Sequence, residues 1–202
     1  MNSFDLFGYH LLNHWAGHIP LLDTTMSFLA QYALEIYALL FVIAWFVLPK
    51  PEVKRRNALV VMGLAGVLAL LLNVLLAHLW FRPRPFVTLK QGSFTQLIPH
   101  SADSSFPSDH AAGSFGFAAG SWYRAERWVS ISFTCLAVLV GVARVYVGVH
   151  WPTDVIAGVI VGIVSAVIMK RFSDKFEPLT RWVMRILGFK AYDKKQGGNN
   201  IA

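Results

Sequence analysis

The apolar runs of this chain constrain its fold more than any other feature. They cover about residues 26–48, 58–80, 129–147 and 152–169, with a shorter Gly- and Ala-rich run at 108–123. A helix needs about 20 mostly apolar residues to cross a bilayer. Inside the hydrocarbon, backbone polar groups are satisfied only within helices or closed barrels. The runs therefore predict an all-α, polytopic transmembrane bundle of about five full spans. A soluble protein with buried core helices is the alternative, and several near-uncharged runs of this length argue against it. Composition agrees: 14% of residues are charged, against roughly a quarter in soluble domains.

Two amphipathic helices are expected to frame the spans. Residues 1–24 lack Lys and Arg, and Phe4, Phe7, Leu11, Leu12 and Trp15 alternate with polar positions. That pattern predicts a helix lying at the interface or partly inserted. His10, His14 and His18 share one face of it, as metal ligands or as polar tips on amphipathic stems. Near the other end, Leu179, Trp182, Val183, Ile186 and Leu187 oppose Arg181 and Arg185, the pattern of a C-terminal amphipathic helix. Residues 1–190 read as a single membrane domain and 191–202 as a disordered polar tail. The start has no basic n-region, so no cleavable signal peptide is expected.

Within the spans, Gly63 and Gly66 offer close helix contact. Glu35 is the one charge of the first span and is expected to face other helices, because a carboxylate at that depth is costly. Pro49 and Pro51 end that span at a basic turn with Lys50, Lys54, Arg55 and Arg56. Pro83 and Pro85 oppose regular helix in the loop that follows the second span. Cys135 lies alone in an apolar run, which excludes a disulfide framework.

The net charge of +7 serves topology. Fourteen of the 18 Lys and Arg residues fall in the 49–57 turn, the 124–127 turn and residues 170–202, and the other four are Arg82, Arg84, Lys90 and Arg144. By the positive-inside rule the N-terminus and the loops at 81–107 and 148–151 lie outside the cytoplasm. No nucleic-acid partner is expected; membrane lipids are.

Three segments then meet at the outer surface: FRPRPF at 81–86, SSFPSDH at 104–110 and ARVYVGVHWPTD at 143–154. Arg84 and Arg144 present planar donor forks that match phosphate oxygens. Ser108 adds a hydroxyl, and the amides of Asp109 and His110 begin a helix, where anions are favoured. Lipid-headgroup anchoring would explain one of Arg82 and Arg84, but not two prolines fixing both in one turn. His150 and Asp154 flank Pro152. Asp154 could orient one ring nitrogen of His150 and leave the other free to attack phosphorus, or it could serve only as a first-turn carboxylate favoured by the helix dipole. His110 is suited to protonating a leaving oxygen.

In this order the three segments resemble the signature of the type 2 phosphatidic acid phosphatase superfamily, membrane enzymes related to vanadium haloperoxidases. IPHSADSSFPSDH at 98–110 and the small size are most similar to bacitracin-resistance-type undecaprenyl-diphosphatases. The resemblance implies a transient phosphohistidine at His150 supported by Asp154. It further implies His110 as general acid, Arg84, Ser108 and Arg144 on the phosphoryl oxygens, and no metal or other cofactor. The substrate it implies is a polyprenyl or other lipid phosphate, handled at the extracytoplasmic face of a bacterial plasma membrane. A phosphatase for phosphatidylglycerol phosphate or phosphatidic acid is the near alternative, and a lipid phosphotransferase another. A non-enzymatic carrier would have little use for a His150–Asp154 pair.

Three positions depart from that pattern. Ala77 stands where the family usually has lysine, and Arg82 is expected to supply the missing cation. Ala143 stands where a serine is common. Asp109 replaces glycine beside the phosphate pocket and is expected to need a partner such as Arg82. His100 and Asp103 are candidates for touching a second phosphate, or for structuring the loop through an Asx-type turn.

Overall fold

The computed structural model describes residues 2–47 and 53–189. They form α1 (Ser3–Asn13), α2 (Pro20–Val47), α3 (Val53–Leu79), α4 (Pro85–Thr88), α5 (Asp109–Ser121), α6 (Arg127–Tyr146), α7 (Pro152–Arg171) and α8 (Glu177–Ile186), with a 3-10 turn at Ser173–Phe176. No strand occurs among the described residues. The Pro49–Pro51 turn and the tail at 191–202 lie outside them.

Four of these helices, α2, α3, α6 and α7, are long and apolar enough to cross a membrane. The shorter Gly- and Ala-rich run forms α5. With 13 residues, α5 reaches only about 20 Å at 1.5 Å per residue. It is instead the central helix, packed between α3 and α7 through missing side chains. A methyl group on Gly116 would lie 2.9 Å from the Ala65 carbonyl oxygen of α3, and one on Gly162 of α7 would lie 2.7 Å from the Ala112 carbonyl oxygen of α5. Gly66 accepts the ring of Phe117 in the same seam. Such small-residue contacts let backbones approach closely where lipid offers no hydrophobic drive.

The remaining depth beside α5 is filled by the loop that precedes it. Ile98, Ser105 and Ser108 are buried, and Leu97 N donates to Val147 O at 3.1 Å. Pro85 permits more helix than expected: it sits in the first turn of α4, where its missing N–H has no role to lose. The opposite end of the molecule is closed by α8, whose Thr180 and Met184 are buried while Trp182 and Ile186 face outward. Thr180 Oγ1 donates to Asn57 Oδ1 of α3 at 2.8 Å.

The first helix, expected at the interface or partly inserted, packs one side against the bundle. Its exposed side is Phe4, Phe7 and Leu11, and its inward side is Asp5, Tyr9 and Asn13, all buried. Asn13 Nδ2 donates to Thr95 O at 2.7 Å and Tyr146 O at 2.8 Å, and Asn13 Oδ1 accepts from Thr95 N at 2.9 Å. Glu35, expected to face other helices, is exposed. The inward face of α2 belongs to Ala30, Ala33 and Tyr37, and 100° per residue carries Glu35 to the far side.

Candidate active site

α3 and α6 end where α5 and α7 begin, so the alternating helix directions bring the three segments to one end of the bundle. The turn after α6 depends on Gly148, at φ +87°, where a methyl group would lie 2.4 Å from the Thr95 carbonyl oxygen. Only glycine adopts that conformation at little cost. The turn delivers His150 into the interior. Trp151 Nε1 donates to Pro83 O at 3.0 Å, Ser105 N to Arg82 O at 2.8 Å, and Ser108 N to Asp154 O at 3.0 Å. The three segments are thus hydrogen-bonded to one another.

His150, Arg144, Arg84 and Asp154 are nearly inaccessible, at 1%, 1%, 4% and 0% exposure. His150 Nδ1 lies 2.8 Å from the Ser105 carbonyl oxygen, a group that can only accept, so this nitrogen carries the proton. Nε2 lies 3.2 Å from Arg84 Nη1 and 3.2 Å from Arg144 Nη2. Both guanidiniums are donors, so the Nε2 lone pair faces two cations. Burial, then the charges of Arg144 and Arg84, push the His150 pKa well below 6.5. The ring is a neutral, oriented base.

The arginines are held from behind. Arg84 Nε donates to Asp103 Oδ1 at 2.8 Å, Nη1 to Val149 O at 2.9 Å and Nη2 to Ser104 O at 3.1 Å. Arg144 Nη1 donates to Ala30 O at 2.7 Å, and its Nη2 lies 3.1 Å from His100 Nε2. Arg144 Nε is buried without a partner. Burial and the two guanidinium charges lower the His100 pKa. Burial pushes Asp103 up, but the Ser101 hydroxyl and Arg84 outweigh it and hold its carboxyl below the usual range.

Asp154 has several bonds besides its approach to His150. Its Oδ2 accepts from Trp151 N at 2.9 Å, capping α7, and lies 3.6 Å from His150 Nδ1. Its Oδ1 accepts from Arg82 Nη1 at 2.6 Å. Arg82 also donates to Thr153 Oγ1 at 2.6 Å and to Asp5 Oδ2 at 2.5 Å. Asp5 accepts in addition from Thr153 N at 2.9 Å. Burial raises the Asp5 pKa, but the Thr153 amide and Arg82 outweigh it and the carboxyl stays below its ordinary value.

The expected Asp109–Arg82 pair does not form, because Arg82 is committed to Asp5 and Asp154. Asp109 Oδ1 instead accepts from His110 N at 2.9 Å and lies 3.1 Å from His110 Nδ1. Ser108 is the N-cap of α5, its Oγ 3.5 Å from Ala111 N. His110 opens the same helix and makes no hydrogen bond with His150. A cavity of about 430 Å³ opens beside α3, running from Val74, Ala77 and Phe81 to Arg84, Asp103 and Asp109. Ala77, where lysine is usual, is part of its apolar wall. His10, His14 and His18 line a separate cavity of about 300 Å³ with Asn13. Among the described residues no three His, Cys, Asp or Glu side chains converge as metal ligands.

Asp5, Thr153 and the Ser105 carbonyl are additions to the residues singled out in the sequence. Asp5, Tyr9 and Asn13 do recur at the four-residue spacing of the three histidines, and that polar stripe was a signal for the inward face of α1.

A helical membrane bundle with two buried guanidiniums on one imidazole at its end has the form of a membrane lipid phosphatase. The chain belongs to the PAP2 superfamily, whose model matches residues 57–178. It is 33% identical over 185 residues, 91% of each chain, to undecaprenyl-diphosphatase BcrC of Bacillus subtilis. It is 30% identical over 167 residues to the bacitracin transport permease protein BcrC of Bacillus licheniformis, covering 82% of this chain and 78% of that one. The crystal structure of Aquifex aeolicus LpxE matches with a TM-score of 0.71 and 26% identity, over 84% of this chain and 96% of that one.

Proposed function

We propose that this protein hydrolyses undecaprenyl diphosphate to undecaprenyl phosphate and inorganic phosphate through a phosphohistidine at His150. The observation that carries the reading is the state of that ring. Nδ1 is fixed on the Ser105 carbonyl, and Nε2 is aimed between Arg84 and Arg144. A terminal phosphoryl group entering there takes its oxygens to the two forks, with Arg144 Nε available as one more donor.

Nε2 attacks the terminal phosphorus, and the bridging P–O bond breaks with its electrons on the departing lipid phosphate. His110 supplies a proton to that oxygen. Water then attacks the phosphohistidine, His110 takes the proton back, and phosphate leaves with Nε2 restored. Asp154 and the Ser105 carbonyl stabilise the positive charge on the ring at Nδ1. Ser108 contributes its hydroxyl and the start of α5, and Asp109 tethers His110. The step uses side chains alone, with no metal ion or other cofactor.

The lipid tail remains in the membrane along the apolar wall of the 430 Å³ cavity. Positive-inside counting supports a site outside the cytoplasm, and the bacterial relatives support a plasma membrane as its place. The relatives' names support, as part of the same proposal, recycling of a lipid carrier for cell-wall synthesis and with it bacitracin resistance. The name of the B. subtilis relative favours the diphosphate over glycerolipid phosphates.

Phosphate release by purified protein, with chelator present, across isoprenyl diphosphates, phosphatidylglycerol phosphate and phosphatidic acid tests the reading. Preference for undecaprenyl diphosphate is the expected outcome. Preference for a glycerolipid phosphate would overturn the substrate, and acceptor-dependent transfer to a second lipid would overturn hydrolysis.

A further inference from the structure

The outward face of α2 carries a carboxylate that a lipid surface does not accommodate. Glu35 lies near the middle of the 28 residues of a membrane-length helix. At 1.5 Å per residue it is on the order of 13 Å from the nearer edge of a 30 Å hydrocarbon layer centred on the helix. A glutamate side chain cannot snorkel that far. Phe28, Tyr32, Leu39 and Val42 are exposed around it, so the surrounding surface is greasy. Carboxylates at this depth otherwise sit inside a bundle or pair with another polar group.

The same face holds a complement. Gln31, one turn earlier, is exposed, and its amide Nε2 reaches only the carbonyl of Ser27 in its own helix, at 3.2 Å. Side chains lean toward the N-terminus of their helix, so the Glu35 carboxyl reaches toward the level of a neighbouring Gln31. A two-fold axis along the membrane normal puts two copies of α2 side by side at equal depth. Each Glu35 then accepts from the other copy's Gln31, so the contact is made twice, as an isologous interface requires.

The turn between them bears on the proposed site. α2 departs from helical geometry at Tyr32, with φ −108° and ψ 15°. The Ala30 carbonyl, two residues earlier, accepts from Arg144 Nη1 at 2.7 Å. A side chain inserted into the helical ladder is a recognised cause of a kink. One side of this turn holds Arg144 and the other carries Gln31 and Glu35.

We propose that the outward face of α2 is the interface between two copies of this chain, with reciprocal Gln31–Glu35 contacts at its centre. Full-length protein with Cys135→Ala and a single Phe28→Cys or Leu39→Cys, oxidised in the membranes of the expressing cells, provides the test. Ile160→Cys, on the exposed face of α7, is the control for random collision. Cross-linked dimers at 28 and 39, but not at 160, are expected. Glu35→Leu should lower the dimer yield about 3- to 30-fold, the range for one or two interhelical polar contacts. Glu35→Gln should retain most of it. Unchanged melting of Glu35→Leu in detergent establishes that the variant folds, and Glu35→Ala replaces it if it does not. Monomers throughout, adducts of another mass, equal yield at 160, or dimers indifferent to Glu35 would each overturn the proposal.

Discussion

Asp5 and Asp154, 149 positions apart in the chain, are held by the two arms of one guanidinium: Arg82 Nη2 lies 2.5 Å from Asp5 Oδ2 and Nη1 2.6 Å from Asp154 Oδ1. The N-terminal helix is therefore tied to the carboxylate behind His150. Asp5→Asn leaves Arg82 with Asp154 as its one carboxylate partner, and the amide keeps a single oxygen for the Thr153 amide that Asp5 now accepts from. Asp5→Asn is expected to destabilise the fold by about 3 kcal/mol, as for other buried pairs broken on one side. The loss appears as a lower melting temperature in detergent. The Asp5 carboxyl is held below its ordinary value of 3.8, so its stabilisation is complete above that pH and is lost as pH falls through the lower, folded value.

Asp154→Asn should harm turnover less than loss of His150. The tautomer is already fixed by the Ser105 carbonyl at 2.8 Å, while Asp154 Oδ2 stands 3.6 Å from Nδ1. A fall in kcat of about 10- to 100-fold, typical of groups acting through another ligand, is expected. Steady-state phosphate release measures it. A loss equal to that of His150→Ala would give Asp154 a more direct part.

The depressed pKa of His150 sets an acid limit. Native His150 stays neutral below pH 6.5 because burial and the Arg144 and Arg84 charges oppose its protonation. The unfolded chain takes up that proton near 6.5, so this group's contribution to stability is full above 6.5 and declines as pH falls toward the folded value. The acid limb of kcat/KM attributable to His150 should accordingly lie below 6.5. Arg144→Gln removes one opposing charge and should move the ring's titration upward, which NMR of labelled histidine can follow.

Gly162→Ala tests the central seam. Its methyl group would meet the Ala112 carbonyl oxygen at 2.7 Å, and backbone cannot yield as a side chain can. A loss of about 1–3 kcal/mol is expected, the usual cost of overpacking. Since α5 carries His110 and α7 carries Asp154, phosphate release should fall with the melting temperature.

Much of this arrangement is legible in the sequence where one residue type has one physical use. The apolar runs located α2, α3, α6 and α7, and Leu179, Trp182 and Ile186 marked the outer side of α8. The three segments met because each borders a run and successive runs alternate in direction. Partners that depend on tertiary contact were not legible. Arg82 gave no sign in sequence of choosing Asp5 over Asp109, because the two carboxylates differ only in where α1 and α5 place them. The Ser105 carbonyl is invisible to any side-chain pattern. The cost of a buried-depth carboxylate argues for an inward Glu35, but the inward face of α2 is filled by Ala30, Ala33 and Tyr37. The run at 108–123 reads as short in the sequence, and α5 is a 13-residue helix because its small residues continue the hydropathy of a span without the length of one.

The most direct measurement is the fate of a label on the terminal phosphate of undecaprenyl diphosphate when the reaction is quenched in milliseconds. The account predicts an acid-labile, base-stable phosphate on His150, absent from His150→Ala, which also releases no phosphate. Release by that variant at the parent rate, or labelled phosphate appearing in the parent without ever residing on His150, would contradict it.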